Sequence, residues 1–453
     1  MKKRNKFSLS HYKLLSCDMG QLVPIGLTEV IPGDTIQQAT SALIRSNPLV
    51  SPVMHPVHAR IHHWFVPFRL IWDDFEKFIT GGASGNDTTA FPTVTLSGSN
   101  LGVGTLADYL GVPGGPASIT TSALPFRAYQ LIWNEFYRDQ DLQAEQAVSK
   151  GNGSDTTTKL NLMNCAWEKD YFTSARPWEQ KGNEVLLPLG SRADVVHDAN
   201  DYLGVKDKST GNYERLARNA NNNYIESLNG VAPPTGGQLY ADLSTATAAS
   251  INDIRLAFAL QRYKEARARY GSRYVEYLRY LGVKSSDARL ERPEYLGGGK
   301  NTIQFSEVLQ TAEGTDPVGA LKGHGIGAMR SNRYRKFFEE HGYVLSFLSV
   351  KPKTIYAQGL PRLFNKRVKE DFFQAELQHI GAQEILAKEL YVQASLPDKI
   401  FGYQDRYDEY RRSESSVAGQ FRTTLDYWHM ARIFANEPTL NSDFVGAVPI
   451  KRS

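Results

Sequence analysis

Two apolar segments near the start of the chain most constrain its fold, because both have the composition of β-strands. Residues 23–31 are rich in β-branched side chains and run into Pro32-Gly33-Asp34, a turn signal. Residues 57–67 are rich in Val, Ile, Trp and Phe and are bounded by prolines. Such segments, separated by helices and long polar loops, favour an antiparallel β framework with helical insertions over an alternating βαβ chain.

Helical spacing is clearest at 125–138, where four aromatic residues share one face: Phe126, Tyr129, Trp133 and Phe136. We interpret this stripe as a packing surface rather than a cofactor site. Further helices are predicted at 71–79, 105–110 and 262–280. Strand character returns in three later segments, which are 343–350, 354–356 and 427–434.

Residues 191–240 differ in composition from the rest of the chain. This segment is polar, contains an Asn-rich run and a Pro/Gly-rich run, and lacks a sustained apolar period. We therefore expect a single domain over residues 1–453, with 191–240 as a surface insertion.

Composition limits the class of protein. The 453 residues contain 52 Lys+Arg against 48 Asp+Glu, a formal net charge of +4, and 41% hydrophobic residues, which is typical of a folded globular chain. Cys17 and Cys165 are the only cysteines, too few for a disulfide framework and suited to a reducing cytoplasm. No signal-peptide region is evident, and no apolar run approaches the ~18 residues of a membrane helix. A secreted or membrane-inserted protein is not expected.

Catalytic and cofactor patterns are incomplete. Residues 102–107 fit a G-x-G-x-x-A dinucleotide pattern, but the acidic residue expected about 20 positions later is missing. Residues 297–300 (GGGK) lack the first glycine and the Ser/Thr of a phosphate-binding loop. Neither cysteine lies in a nucleophile signature, and the G-x-S-x-G pattern is missing. We predict no catalytic residue and no cofactor.

A histidine cluster raises the question of a metal site. It consists of His55, His58, His62 and His63. On a strand His58 and His62 would lie about 13 Å apart, too far for one ion with ~2 Å bonds to bridge. His62 and His63 would point to opposite faces. We therefore predict polar strand positions rather than metal ligands.

Basic residues concentrate in three places. The chain opens with Lys2, Lys3, Arg4 and Lys6, which could reach a polyanion or form an ordinary solvated tail. A second patch contains Arg330, Arg333, Arg335 and Lys336, and protein contact and nucleic acid fit it equally. Residues 262–280 interleave Arg with Tyr, which favours a protein interface over stacking on single-stranded nucleic acid.

Several long sequence segments, in a consistent order along the chain, resemble the major capsid proteins of the Microviridae, particularly the gokushovirus branch. The resemblance extends from about Phe7 to the C-terminal region. The segments are 124–129 (LPFRAY), 133–139 (WNEFYRD), 170–175 (DYFTSA), 241–244 (ADLS), 287–298 (DARLERPEYLGG), 340–342 (EHG), 358–362 (QGLPR) and 401–404 (FGYQ).

The resemblance implies an eight-stranded antiparallel jelly roll of the viral capsid type, with long, partly helical insertion loops. It implies a structural, non-enzymatic protein that assembles in the host bacterial cytoplasm into a T=1 icosahedral virion shell around a circular single-stranded DNA genome. The implied partners are other copies of the chain, that genome, a small basic internal DNA-binding protein and a host surface receptor. Residues 191–240 then fall where relatives carry a protrusion near the threefold axes.

Given this resemblance, we predict that the N-terminal basic arm and the second patch face the genome: Lys2, Lys3, Arg4, Lys6, Arg330, Arg333, Arg335 and Lys336. Two other classes stay open. A non-assembling single-stranded DNA-binding protein would bind as an isolated subunit with steep salt dependence. A carbohydrate-active β-sandwich enzyme would need two carboxylates across a cleft.

Overall fold

The computed structural model describes residues 5–183, 185, 251–271, 273–309, 311, 317–378 and 380–447, together with the backbone of five strands between 194 and 242. The chain divides into two units. The first combines Met1–Glu179 with Arg267–Ser453, and the second is Gln180–Ala266.

The strands in chain order are β1 (Val23–Val30), β2 (Thr35–Gln38), β3 (Ser41–Arg45), β4 (Val57–Pro67), β5 (Thr93–Ser97), β6 (Ser118–Ser122), β7 (Asp194–His197), β8 (Gly204–Lys206), β9 (Tyr213–Arg218), β10 (Ile225–Leu228), β11 (Leu239–Asp242), β12 (Glu294–Leu309), β13 (Leu321–Arg330), β14 (Tyr334–Phe337), β15 (Gly342–Pro352), β16 (Ala382–Leu386) and β17 (Ile400–Asp405). The α-helices are α1 (Phe75–Thr80), α2 (Leu106–Leu110), α3 (Leu124–Phe136), α4 (Ile251–Tyr270), α5 (Tyr274–Tyr280), α6 (Ala387–Leu390) and α7 (Ser442–Val445).

A six-stranded antiparallel sheet organises the first unit, in the order β1-β15-β4-β12-β13-β3. At its centre β4 and β15 pair over 11 residues, from Pro67 opposite Gly342 to Val57 opposite Pro352. The predicted strands at 23–31, 57–67 and 343–350 are confirmed, and so is the mainly β, antiparallel, jelly-roll-type fold class. The count of eight framework strands stays a prediction.

The central sheet has a core on each face, because strand side chains alternate with a period of two. Ala59 and Ile61 of β4 pack with Ile303, Leu348 and Val350 in one core. Trp64 and Val66 belong to the other core, which also contains the buried side chains of α3. The C-terminal part of β4 therefore has apolar residues in both registers, from Trp64 to Val66, whereas polar residues alternate with apolar ones nearer its start.

Helix α3 begins with Leu124, and Pro125 lies in its first turn, where a missing N–H is tolerated. Its aromatic stripe is a packing surface, as predicted: Phe126, Tyr129 and Trp133 are buried, and Phe136 stacks on Trp64 with ring centroids 3.9 Å apart. Burying each large apolar side chain contributes roughly 1.5–3 kcal/mol.

An ion pair is buried beneath α3. Arg127 Nε donates to Asp155 Oδ2 over 2.8 Å, and the two side chains are 1% and 0% exposed. The guanidinium also donates to the carbonyls of Ile71 and Gly151. Oδ1 of Asp155 accepts the backbone N–H of Thr158. The pair is stable in the core because these additional hydrogen bonds satisfy both charged groups.

Several sequence predictions need correction. The helix predicted at 71–79 begins only at Phe75, and the segment predicted as one helix at 262–280 is α4 and α5, separated at Gly271, whose φ is 97°. Residues 354–356 are not a strand, since Tyr356 makes only isolated bridges. The prediction of a strand at 427–434 is wrong, because this segment begins in a 3-10 turn, Asp426–Trp428.

The second unit contains two small antiparallel sheets, β10-β9-β8 and β11-β7, and most of α4. Apart from these strands, the predicted insertion at 191–240 lies outside the described residues. Among the helices that the structure describes, none combines the length and the apolar composition that a membrane span needs.

Candidate nucleic-acid interface

The second basic patch lies at the end of β13, in the turn that follows, and on β14. Arg330 pairs with Ser41 of β3, while Arg335 and Lys336 of β14 lie opposite Gln37 and Ile36 of β2. Arg330, Arg333 and Arg335 are all exposed. The structure thus places three guanidinium groups at the surface within six residues of chain.

Hydrogen bonds hold the backbone of this patch against the central sheet. The N–H of Ser331 donates to the carbonyl of Thr40 over 2.8 Å, and Thr40 N–H donates back to Ser331 Oγ over 2.9 Å. The N–H of Asn332 donates to the carbonyl of Gly298 on β12 over 2.9 Å. The arginines therefore extend from a segment whose position is already set.

A buried polar network lies beneath the patch, centred on His63 of β4. The imidazole Nε2 is 3.2 Å from Ser331 Oγ, and Nδ1 is 2.7 Å from Ser346 Oγ on β15. Gln38 donates to Ser346, and the hydroxyl of Tyr334 donates to Gln38. Burial lowers the pKa of His63 to about 4, so the ring is neutral at pH 7.

Lys336 differs from the three arginines. Its ammonium forms an ion pair with Glu294 of β12, and its side chain is half-buried. Because a carboxylate already compensates this charge, Lys336 offers less attraction to an outside phosphate than Arg333 or Arg335.

The N-terminal arm is described only in part. Lys2, Lys3 and Arg4 lie outside the described residues. Lys6 is exposed, and the neighbouring side chains of Phe7, Leu9, Tyr12 and Leu14 are exposed as well. The arm therefore presents apolar groups in addition to basic ones.

Sequence reasoning missed a second basic group on the central sheet. Lys300 of β12 pairs with Arg60 of β4, and Lys351 of β15 pairs with His58. Glu168 contacts this group, with Oε1 2.5 Å from Arg60 and 3.8 Å from Lys300. These cations are far apart in the sequence, so only strand pairing brings them together. The two-residue period of a strand does place Arg60 and His58 on one face of β4, and this was the only part of the group that the sequence could have predicted.

Lys351 of this second basic group is engaged within the chain. Its ammonium donates to the carbonyl of Ala166 over 2.8 Å, and burial lowers its pKa. The surface of the group is formed by Lys300, with Lys353 exposed just beyond the end of β15.

Three of the four clustered histidines lie on β4 as predicted, with His58 and His62 on one face and His63 on the other, whereas His55 precedes the strand. The Tyr137 hydroxyl accepts the Trp64 indole N–H over 3.0 Å and forms a second hydrogen bond of 2.7 Å with His62 Nδ1. Burial lowers the pKa of His62 to about 4. Within the part of the chain that the structure describes, His, Cys, Asp and Glu form no group of three or more suited to a metal ion.

The Arg/Tyr segment forms α4 and α5. Arg273 donates to the carbonyl of Asn134, and Arg269 lies 3.1 Å from Asp405, so at least these two arginines make contacts within the chain. The rings of Tyr270 and Tyr280 pack with centroids 4.8 Å apart, and both side chains are exposed. The choice between a protein interface and nucleic acid for this segment stays a prediction.

The chain is similar to known capsid proteins along nearly its whole length. Residues 1–450 match the model of a family described as capsid protein (F protein). Capsid protein VP1 of Bdellovibrio phage phiMH2K is 38% identical over 99% of this chain and 89% of its own length. The VP1 proteins of Chlamydia phage 1 and Spiroplasma virus 4 are each 33% identical, over 100% and 98% of this chain and 90% and 87% of their own lengths.

Proposed function

The chain belongs to the capsid protein (F protein) family of the Microviridae, and from this membership we propose that its copies assemble into a T=1 icosahedral shell enclosing a circular single-stranded DNA genome. It is a structural protein of the virion. The observation that carries the proposal is the similarity over nearly the whole of this chain and about nine-tenths of each relative.

The chemistry of the surface supports assembly. Many large apolar side chains are exposed on the single chain, among them Leu9, Leu43, Phe258 and Leu363. Contacts between subunits would remove such groups from water, and that burial favours association. A net charge of only +4 limits repulsion between copies around a shell. Many modest interfaces, closed by symmetry, then stabilise the whole particle.

The proposal assigns the N-terminal basic arm and the patch at 330–336 to the genome-facing surface. Three exposed arginines on a well-anchored segment support this assignment, because guanidinium groups neutralise phosphates regardless of base sequence. Lys336 contributes less, since Glu294 pairs with it.

The remaining partners rest on the family alone. We extend the proposal to a small basic internal DNA-binding protein, a host surface receptor and assembly in the host bacterial cytoplasm. Residues 191–240 are assigned to a protrusion near the threefold axes, within a chain that forms one capsid domain with large insertions.

Expression of the protein alone, followed by negative-stain electron microscopy and size-exclusion chromatography, tests the proposal. We expect closed isometric particles, formed either directly or after phage partners and DNA are added. A monomer that binds single-stranded DNA tightly and never assembles with those partners would contradict the shell and support a DNA-binding protein.

A further inference from the structure

Residues 362–373 form a surface loop, here called the apolar loop, that exposes an unusual number of large apolar side chains. Its five large apolar residues are between 48% and 70% exposed: Leu363, Phe364, Val368, Phe372 and Phe373. Both 3-10 turns within it, Arg362–Asn365 and Lys369–Asp371, contain no buried residue. Monomeric proteins seldom leave such patches in contact with water unless the patch is an interaction surface.

The apolar loop is nevertheless held in place, by a contact at its first residue and by hydrogen bonds within its own backbone. Arg362 donates to Glu389 over 2.8 Å, and the carboxylate side chain of Glu389 is buried. Asp371 Oδ2 accepts the backbone N–H groups of Arg367 and Val368 over 2.7 and 3.0 Å. The backbone conformation is therefore set before any partner arrives, which lowers the entropy cost of binding.

Part of the apolar loop forms one continuous aromatic surface around Lys366. The ammonium lies 3.9 Å from the Tyr410 ring centroid and 5.7 Å from that of Phe372. The Phe373 ring lies 6.2 Å from Tyr410. Phe372, Phe373 and Tyr410 are each about half exposed, so the three rings offer a contiguous contact area.

The buried Tyr407 supports this surface from below. Its hydroxyl donates to the carbonyl of Glu370 over 2.9 Å, and its ring packs 5.4 Å from Phe373. Tyr407 has a φ of 66°, which lies in the left-handed region that residues other than glycine seldom adopt. Such residues are concentrated at functional sites. The geometry that presents Phe373 is thus specified by the fold.

Three of the four cations in the apolar loop lie beside a carboxylate, and the fourth, Arg367, is exposed. Lys366 lies 3.3 Å from Glu409, Lys369 lies 3.6 Å from Glu370, and Arg362 pairs with Glu389. Nucleic acid could stack on exposed rings, but it also requires cations that are available to its phosphates. Five apolar side chains beside a single exposed arginine fit a protein partner better than DNA.

We propose that the apolar loop is a contact surface between copies of this chain, with Phe372 and Phe373 as its anchors. The proposal rests on the proposed function, because a capsid subunit has other copies of itself as its neighbours. A second copy is the partner that the mostly compensated charges and the family membership both favour.

The decisive variant is Phe372→Ser/Phe373→Ser in the full-length chain. Both side chains are half-exposed, so the thermal unfolding midpoint of the dissociated subunit should change little. We expect the subunit concentration required for shell assembly to rise about tenfold or more. The control Phe372→Leu/Phe373→Leu keeps apolar contact area and should retain most of the assembly.

Three results would overturn the proposal. The serine variant could assemble at wild-type concentration, or its shells could form normally with reduced DNA content, which would assign the apolar loop to the genome. A dissociated serine variant that has lost its cooperative unfolding transition would show that the two rings serve the subunit's own fold.

Photo-crosslinking identifies the occupant directly. With p-benzoylphenylalanine at position 373, assembled shells should give a covalent adduct of twice the subunit mass, and dissociated subunits should not. An adduct to DNA, or none in intact shells, contradicts the proposal. If the wild-type protein never assembles with its partners, the proposed function itself is wrong. If only the proposal for the apolar loop is wrong, wild-type shells still form.

Discussion

The hydroxyl of Ser331 lies 3.2 Å from Nε2 of His63, although 268 residues separate them in the chain. This contact joins the basic patch at 330–336 to the centre of the main sheet. His63 is fully buried and also contacts Ser346, so one imidazole connects β15 with the segment that carries the exposed arginines.

The subunit should lose stability as the pH falls below neutrality. The pKa of His63 is about 4 in the folded protein, against 6.5 for an ordinary histidine. Above pH 6.5 the ring is neutral in both states. Between pH 6.5 and 4 only the unfolded chain takes up the proton, so the free energy of unfolding falls, by roughly 3 kcal/mol at pH 4.

Urea unfolding of dissociated subunits between pH 4.5 and 7.5 measures this dependence. His62 contributes in the same direction, so the comparison with His63→Gln isolates the buried ring. The variant should show a shallower fall than the wild type. Equal slopes would mean that His63 does not titrate as described.

Removing the exposed arginines should reduce the DNA content of the particles. The triple variant Arg330→Gln/Arg333→Gln/Arg335→Gln replaces only exposed side chains, so folding and shell formation should persist. The ratio of absorbance at 260 and 280 nm of purified particles should fall toward that of empty shells. Unchanged DNA content would contradict the genome-facing assignment.

Two control variants each remove a lysine that already lies beside a carboxylate. Lys336→Gln removes a charge paired with Glu294, and Lys300→Gln removes one beside Glu168. Each should lower DNA content less than a single Arg333→Gln substitution. A larger loss with Lys300→Gln would assign the genome to the second basic group instead.

The buried ion pair beneath α3 should contribute far more to stability than a surface pair of equal length. Arg127–Asp155 and Arg69–Glu340 are both 2.8 Å long, but only the first is excluded from water. Arg127→Ala should lower the free energy of unfolding by about 3–5 kcal/mol, because it leaves a buried carboxylate unpaired. Glu340→Ala should cost less than about 1 kcal/mol. Chemical denaturation measures both values, and similar values would contradict the role of burial.

A methyl group at Gly323 should destabilise the sheet. A Cβ there would lie 2.1 Å from the carbonyl oxygen of Ser51, and the backbone would have to move. We expect Gly323→Ala to cost about 1–3 kcal/mol in unfolding free energy. Gly26→Ala in β1 is the control, since its Cβ would make ordinary contacts of 3.5 Å. Equal midpoints of thermal unfolding for the two variants would contradict the predicted steric cost at Gly323.

Local composition and spacing were sufficient to predict β1, β4 and α3, whereas the family was recognised from its resemblance to this chain over several long sequence segments. Residues 57–67 read as a strand because strong β-formers fill it, and the α3 stripe repeats at the helical period. The same information placed the histidines on a strand. In each case the signal lies within a few residues of the element that it predicts.

Strands β12 and β13 could not be predicted in this way. Both are rich in glycine, which local propensity assigns to loops. Glycine is needed there because neighbours approach closely: a Cβ at Gly298 would lie 2.3 Å from the Ile61 carbonyl oxygen. Only the packed sheet shows why these residues are glycines.

The candidate nucleic-acid interface was likewise predictable from the sequence only in part. The sequence alone identified Arg330, Arg333 and Arg335 as a basic patch, since they are close in the chain. The tertiary structure decided that Lys336 is paired, that His63 supports the patch, and that Arg60 and Lys300 are neighbours. Charge compensation and burial depend on distances between residues far apart in sequence, and those distances exist only once the strands have paired.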